Sequence, residues 1–389
     1  MIAARTVRMI GLIVLAMFLL TFPLFASEFF VVQIGIQSLF LGIVALSLVF
    51  LAGYGGLVSL AQIALFGSAG YTLAILTVTY NLPWFVGVGA ALLVSTLLAA
   101  IFALVSVRTQ GIYFLMITLA LAMLVFYFAE QDRFLTNGHT GINGIRPPTV
   151  GALVMSDPTT FYYITLLVAV LVYLGMRYII GSPFGLAFQG IRDNAQRMRS
   201  LGFNVSAHRV AAFTLAGLIA GIGGVLGVWY NGAISPGSID LTRTIDLLII
   251  AVLGGLVYFE GAFVGAVFFT LITNFASSFT DRFNTVIGLA FLLVALFFPD
   301  GLIGLSRRAF QLVVWIVPWR RRPAVASTSV PVEAALRGRT QVASDSRGVT
   351  HDESGPHDES VGYSSSPIYG GSPIYRGVSV NPEEEENQQ

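Results

Sequence analysis

The residues able to do chemistry are few and sit in three places. The densest is "GSPFGLAFQGIRDNAQRMRSLGFNVSAHR", residues 181–209, with four arginines, an aspartate and two asparagines between long apolar runs. The second is Gln62, the one strongly polar side chain in the apolar run after "GYGG". The third is Asp246, which begins another apolar run. Such groups bind partners or polar solutes; they do not make or break bonds. Nucleophilic catalysis needs a base beside a Ser or Thr, and no apolar run offers a His, Lys or carboxylate in that pairing. There is no cysteine, which excludes disulfides, zinc thiolates and cysteine nucleophiles. There is no lysine either: all 21 basic residues are arginine. A Walker A loop needs its lysine to reach the phosphates, so this chain holds no ATP site of that kind. The residues point to binding and movement, with no catalytic group, metal or cofactor in the chain, and nothing points to nucleic acid.

The elements that position these residues are membrane helices. The chain has 389 residues, 56% hydrophobic and 11% charged, where a soluble domain carries about 25% charged residues. Apolar runs long enough for a bilayer, about 20 residues, recur up to residue 317. Backbone groups in lipid must be satisfied within the segment, so the runs are helices. The fold class expected is an all-α polytopic membrane protein with about ten transmembrane helices: 7–26, 29–50, 57–79, 84–107, 112–130, 161–180, 209–230, 244–258, 261–279 and 284–300. The eighth is short for a full crossing. The first has features of a signal peptide, and its length favours a retained anchor. With the N-terminus inside, thirteen arginines up to residue 322 fall on the inner side and four (Arg133, Arg146, Arg243, Arg282) on the outer. Cytoplasmic loops are rich in Arg, so both termini and the 181–208 segment are expected in the cytoplasm.

That segment reads as two short helices. Ser182–Pro183 is a start signal, a capping hydroxyl followed by a proline whose missing N–H costs nothing in the first turn. Gly185 and Gly190 weaken one continuous helix, so a bend and a second helix beginning near Gly190 are expected. Ile191, Ala195, Met198 and Leu201 then share one face, Arg192, Asp193, Gln196 and Arg199 lie opposite, and Gly202 ends the helix. Such an element either lies in the headgroups or plugs into another protein.

The string "SPFGLAFQGIRDNAQRMRSLGFNVSAHRVAAFTLAGLIAGIGGVLG" resembles the cytoplasmic loop and following span of branched-chain amino acid ABC transporter permeases of the LivM type. "GYGGLVSLAQIALFGSAGYTLAILT" at 53–77, "GIYFLMITLALAMLVFYFAEQDRFLTNGHTGINGI" at 111–145 and "IDLLIIAVLGGLVYFEGAFVGAVF" at 245–268 agree with that family, in its order. The resemblance implies a non-catalytic importer subunit in a prokaryotic plasma membrane. It implies a second permease, two cytoplasmic ATPase subunits carrying ATP and Mg, and an extracytoplasmic substrate-binding protein. The 181–208 loop would hold the coupling helix, with Gly190, Arg192, Asp193, Asn194, Arg197, Leu201 and Gly202 as contacts to the ATPase. A urea or short-amide importer, and an ion-coupled secondary transporter, stay as alternatives.

Gly53, Gly55 and Gly56 permit a helix break, and irregular backbone at depth is tolerated only where it lines a cavity or is buried in protein. Gly55, Gly56 and Gln62, with Asp246, are therefore candidates for the translocation path; close packing is the alternative for the glycines, and a headgroup position for Asp246. "GGLV" at 55–58 recurs at 254–257. Gly217, Gly221, Gly223, Gly227, Gly261 and Gly265 have the spacing of close helix packing. Glu130, Asp132 and Arg133 open an external loop. The permease domain is expected over 1–323. Residues 324–389, rich in Ser, Pro, Gly and acids, are expected to be a disordered tail.

Overall fold

A computed structural model describes residues 27–150, 153–155 and 157–279, with isolated positions from 17 to 25 and from 285 to 304. The chain divides into two units, Met1–Pro318 and Trp319–Gln389, and the described residues all belong to the first. The expected tail lies outside them.

The helices are α1 (Glu28–Tyr54), α2 (Gln62–Thr79), α3 (Trp84–Ser106), α4 (Ile112–Gln131), α5 (Pro158–Gly181), α6 (Pro183–Asp193), α7 (Ala195–Ser200), α8 (Val205–Asn231), α9 (Leu241–Gly254) and α10 (Phe259–Phe279). Seven of them, α1–α5, α8 and α10, are long and apolar enough to cross a membrane among the described residues. The chain is a largely helical, multi-pass membrane protein. The expected first span, 7–26, and tenth, 284–300, fall almost wholly outside the described residues. The expected eighth span, 244–258, is corrected: α9 ends at Gly254 because Gly255 takes a φ of +103°, and its 14 residues reach about 21 Å.

The core lies where α1, α2 and α8 meet. Small residues set the distances. A Cβ on Gly217 would stand 2.1 Å from the Cβ of Ala99, and one on Gly224 would stand 2.2 Å from the Phe66 carbonyl oxygen. Close backbone approach replaces the hydrophobic drive that helices lack inside lipid. α3 answers with buried Gly87, Ala91, Ser95, Ala99 and Ala103, one per turn, while Leu93, Leu97, Ile101 and Leu104 face outward. Ser95 Oγ donates to the Gly217 carbonyl at 2.9 Å, a bond of about 0.6 kcal/mol between membrane helices.

α9 is half a span. Its C-terminal end packs backbone to backbone on α10: a Cβ on Gly254 would lie 1.9 Å from the Gly261 carbonyl oxygen. That end adjoins the lower end of α1, where a Cβ on Gly53 would lie 1.9 Å from the Leu256 carbonyl oxygen. From Gly53, α1 climbs about 38 Å to Glu28, so α9 begins little more than halfway up. The segment before α9 agrees. Ile239 fills the space above Gly67 and Ile234 the space above Gly70, both inside α2. Antiparallel β1 (Ile142–Asn143) and β4 (Ala233–Ile234), paired Ile142↔Ile234, therefore sit below the outer rim. A second pair, β2 (Thr149–Val150) with β3 (Leu153–Val154), belongs to the α4–α5 connection that carries β1.

Candidate functional site

The 181–208 segment forms its two helices, with the joint in another place than expected. α6 runs through Gly185 and Gly190 to Asp193, and the break falls at Asn194. Asn194 is extended, and its Oδ1 accepts from the Arg197 amide at 2.8 Å; a side chain that caps the next helix competes with continuing the last one. The glycines are there for contact. A Cβ on Gly185 would strike the Ile179 carbonyl at 2.3 Å, and one on Gly190 would press Met198 Sδ at 3.0 Å. At the far end Gly202 has φ +88°. Its amide donates to Arg199 O at 2.9 Å and that of Phe203 to Met198 O at 3.1 Å, the two bonds of a Schellman stop.

The seven candidate contacts divide into three groups. Asp193, Arg197 and Leu201 are exposed; Leu201, expected on the apolar face, is turned to solvent because the joint at Asn194 shifts the register. Gly190, Asn194 and Gly202 shape the segment. Arg192 faces the bundle: its Nη1 donates to the Gly53 carbonyl while Nη2 pairs with Asp193 at 3.0 Å.

Arg192 thus joins the first candidate place to the second. α1 ends in a widened π-helical turn, Phe50–Tyr54, which leaves the Gly53 carbonyl without a helical donor and free for Arg192. Gly56 then takes φ +66°, and the chain runs non-helical from Gly56 to Ala61 before α2 begins. Phe188 of α6 lies against Gly55, where a Cβ would meet its ring at 2.1 Å. Thr118 of α4 accepts from the Leu60 amide at 3.2 Å. Gln62, the first residue of α2, is fully buried. Ser47 Oγ lies 2.6 Å from the Val44 carbonyl and 3.0 Å from the Gln62 amide. Ser47 has one proton to give. Whichever way the amide is turned, one of its polar ends has no partner among the described residues. The break also carries the close packing that was the alternative reading of these glycines.

Asp246 stands elsewhere. It lies two turns above the lower end of α9, about 12 Å. Arg243 Nη1 approaches Asp246 Oδ2 at 3.5 Å, with side chains 60% and 22% exposed.

The sequence profile described as "Branched-chain amino acid transport system / permease component" matches residues 30–298. The chain belongs to this permease family. It is 25% identical over 304 residues to the high-affinity branched-chain amino acid transport system permease protein LivM of Salmonella typhimurium, covering 72% of each chain. It is 24% identical over 293 residues to the LivM protein of Escherichia coli, covering 69% of each. A probable branched-chain amino acid transport permease protein LivH of Methanocaldococcus jannaschii is 26% identical over 180 residues, 43% of this chain and 52% of the relative. No solved structure matches.

Sequence reasoning missed two clusters of this permease. Phe184, Phe188 and His208 stack, with Phe184 and Phe188 centroids 6.3 Å apart and Phe184 and His208 5.7 Å apart. The i, i+4, i+7 series Phe184, Phe188, Ile191 was the signal, one turn before the face that was read. At the lower ends of α5 and α10, Glu260 Oε1 accepts from Tyr173 Oη at 2.7 Å and from Arg177 Nη1 at 3.0 Å. That cluster joins residues 83 to 87 apart in sequence and left no local signal.

Proposed function

We propose that the chain is the LivM-type permease subunit of an ABC importer that moves branched-chain or related small amino acids into the cytoplasm. It is non-catalytic. ATP and Mg act in two separate ATPase subunits, a second permease completes the membrane domain, and an extracytoplasmic binding protein delivers the substrate. The LivM relatives support the substrate class, and similarity to a LivH relative supports a second permease of related build. The arginine distribution supports a plasma-membrane orientation with both termini and α6–α7 in the cytoplasm.

The observation that carries the reading is the seat of α6 on the helix break. An ATPase that pushes on exposed Asp193, Arg197 and Leu201 pushes through Arg192 and Phe188 onto Gly53–Gly56, and so onto the buried start of α2. A short helix capped at both ends transmits such a push without absorbing it. The test is the Asp193→Ala, Arg197→Ala double variant in the purified complex, read as ligand-stimulated ATP hydrolysis. Two exposed contacts at roughly 0.2–1 kcal/mol each weaken docking by up to about thirtyfold, and stimulation falls accordingly. Unchanged stimulation removes the docking assignment.

A further inference from the structure

Away from the seat of α6, three helices leave a cavity of about 540 Å³ between them. It runs between α5 and α10 over a floor formed by α1. α5 lines it from Tyr162 to Tyr173, at i, i+4, i+7, i+8 and i+11. α10 lines it from Glu260 to Leu271, at i, i+3, i+4, i+7, i+8 and i+11. Each series is one helix face, and each spans roughly 16 Å. Leu39, Leu166 and Ala169 are buried beneath it, while Val170, Val264 and Val267 on the rim are 43%, 41% and 40% exposed. The cavity is a groove, open along one side.

Its walls suit a hydrocarbon chain. The hydroxyls that line it are spent on protein: Ser38 Oγ donates to the Gly35 carbonyl at 3.0 Å and Tyr162 Oη to the Leu19 carbonyl at 2.9 Å. The length is about half of a 30 Å hydrocarbon layer, the depth of one leaflet. Spread over that length, the volume gives a section of roughly 34 Å². A helix with its side chains is about 10–12 Å across, more than twice that section, so a helix from a partner does not fit. Charge stands at one end alone, where Glu260 accepts from Tyr173 and Arg177. Arg177 lies four residues before the end of α5, whose 24 residues outreach the hydrocarbon layer at about 36 Å. Its side chain is 47% exposed, and it gives Glu260 one of five N–H donors.

We propose that this groove is a binding site for one ethanolamine phospholipid: an acyl chain lies between α5 and α10, the phosphate meets Arg177 and the ammonium group meets Glu260. Lipid tails are as apolar as leucine, so the chain alone would exchange freely, and the charged end is what retains one molecule. A guanidinium presents the fork that fits a phosphate. The carboxylate beside it favours a headgroup that carries both signs and repels one that is only anionic. Bound in this way, the lipid ties α5 to α10, and α5 leads through Ser182 into α6.

The experiment uses the whole importer in nanodiscs, with a phosphatidylethanolamine that carries a diazirine on one acyl chain as the probe. After photolysis, labelled peptides are read by mass spectrometry. Label is expected at 162–173 and 260–271 above the level at Leu97 and Ile101, which face outward from α3. Unlabelled phosphatidylethanolamine is expected to compete about tenfold better than phosphatidylglycerol, the worth of one charge-assisted bond. Arg177→Gln should lower the label about tenfold for the same reason, and Arg177→Lys should keep part of it. Val264→Trp fills the groove from its exposed rim and should remove the label with the ion pair intact; should the Arg177 variants fail to assemble, it decides alone. Four results overturn the assignment: groove label no higher than on α3, equal competition by phosphatidylglycerol, label unchanged by Val264→Trp, or label seen only once the second permease is removed, which would make the groove a subunit contact.

Discussion

The four residues "GGLV" occur twice, and the two copies end helices in different ways. At 254–257 the turn is closed by its own backbone. The Gly255 amide donates to Ala251 O and Val252 O, the Gly261 amide returns to Tyr258 O, and Gly254 and Gly265 press on the backbone of the facing helix. At 55–58 the chain opens into a non-helical stretch, Gly56 to Ala61. Its own backbone closes its start, the Gly56 amide to Ala52 O and the Leu57 amide to Leu51 O, and side chains from elsewhere add to it: Arg192 on Gly53, Phe188 against Gly55, Thr118 on Leu60. Backbone packed on backbone leaves no room to move, because interiors are close-packed. Backbone held by side chains moves with the elements that own them. The 254–257 break is braced by backbone, and the 55–58 break also by side chains, those of α6 among them.

That contrast is broken most severely where the two copies touch. Gly254→Ala sets a methyl group 1.9 Å from a carbonyl oxygen, and backbone cannot yield as a side chain does. The loss should reach the upper end of the ~1–3 kcal/mol range for overpacking, measured as a lower thermal midpoint of the purified permease. Arg192→Ala should act on coupling more than on stability. A hydrogen bond from a charged group contributes about 1.5–3 kcal/mol, here to the position of Gly53. Ligand-stimulated ATP hydrolysis should therefore fall while ATPase subunits still co-purify; loss of the subunits instead would return Arg192 to the docking surface. The smallest effect is expected from Asn194→Ala, which removes the cap of α7 at a cost of about 1 kcal/mol. Hydrogen exchange should show faster opening of 195–200 and no change at 254–261.

Much of this was legible in the residues. The hydrophobic runs located the seven long helices, since lipid demands length and apolarity in each segment alone. Ser182–Pro183 and Gly202 marked the two ends of the 181–208 element, and the glycine spacing of α8 marked a contact face. The joint at Asn194 was misplaced because a glycine that weakens a helix by itself is tolerated when a neighbour, here Met198, uses the space. α9 was read over the wrong bounds, although Asp240 carried a cap signal at its true start.

By itself the sequence determined the solvent of this protein, the identity of its seven long helices among the described residues, and the two ends of the 181–208 element. These depend on side-chain chemistry within a few residues. Only the tertiary structure decided that Arg192 turns inward while Arg197 stays free, and that the two "GGLV" breaks meet. Each of these depends on where a distant segment packs, and hydropathy along the chain carries no record of such contacts.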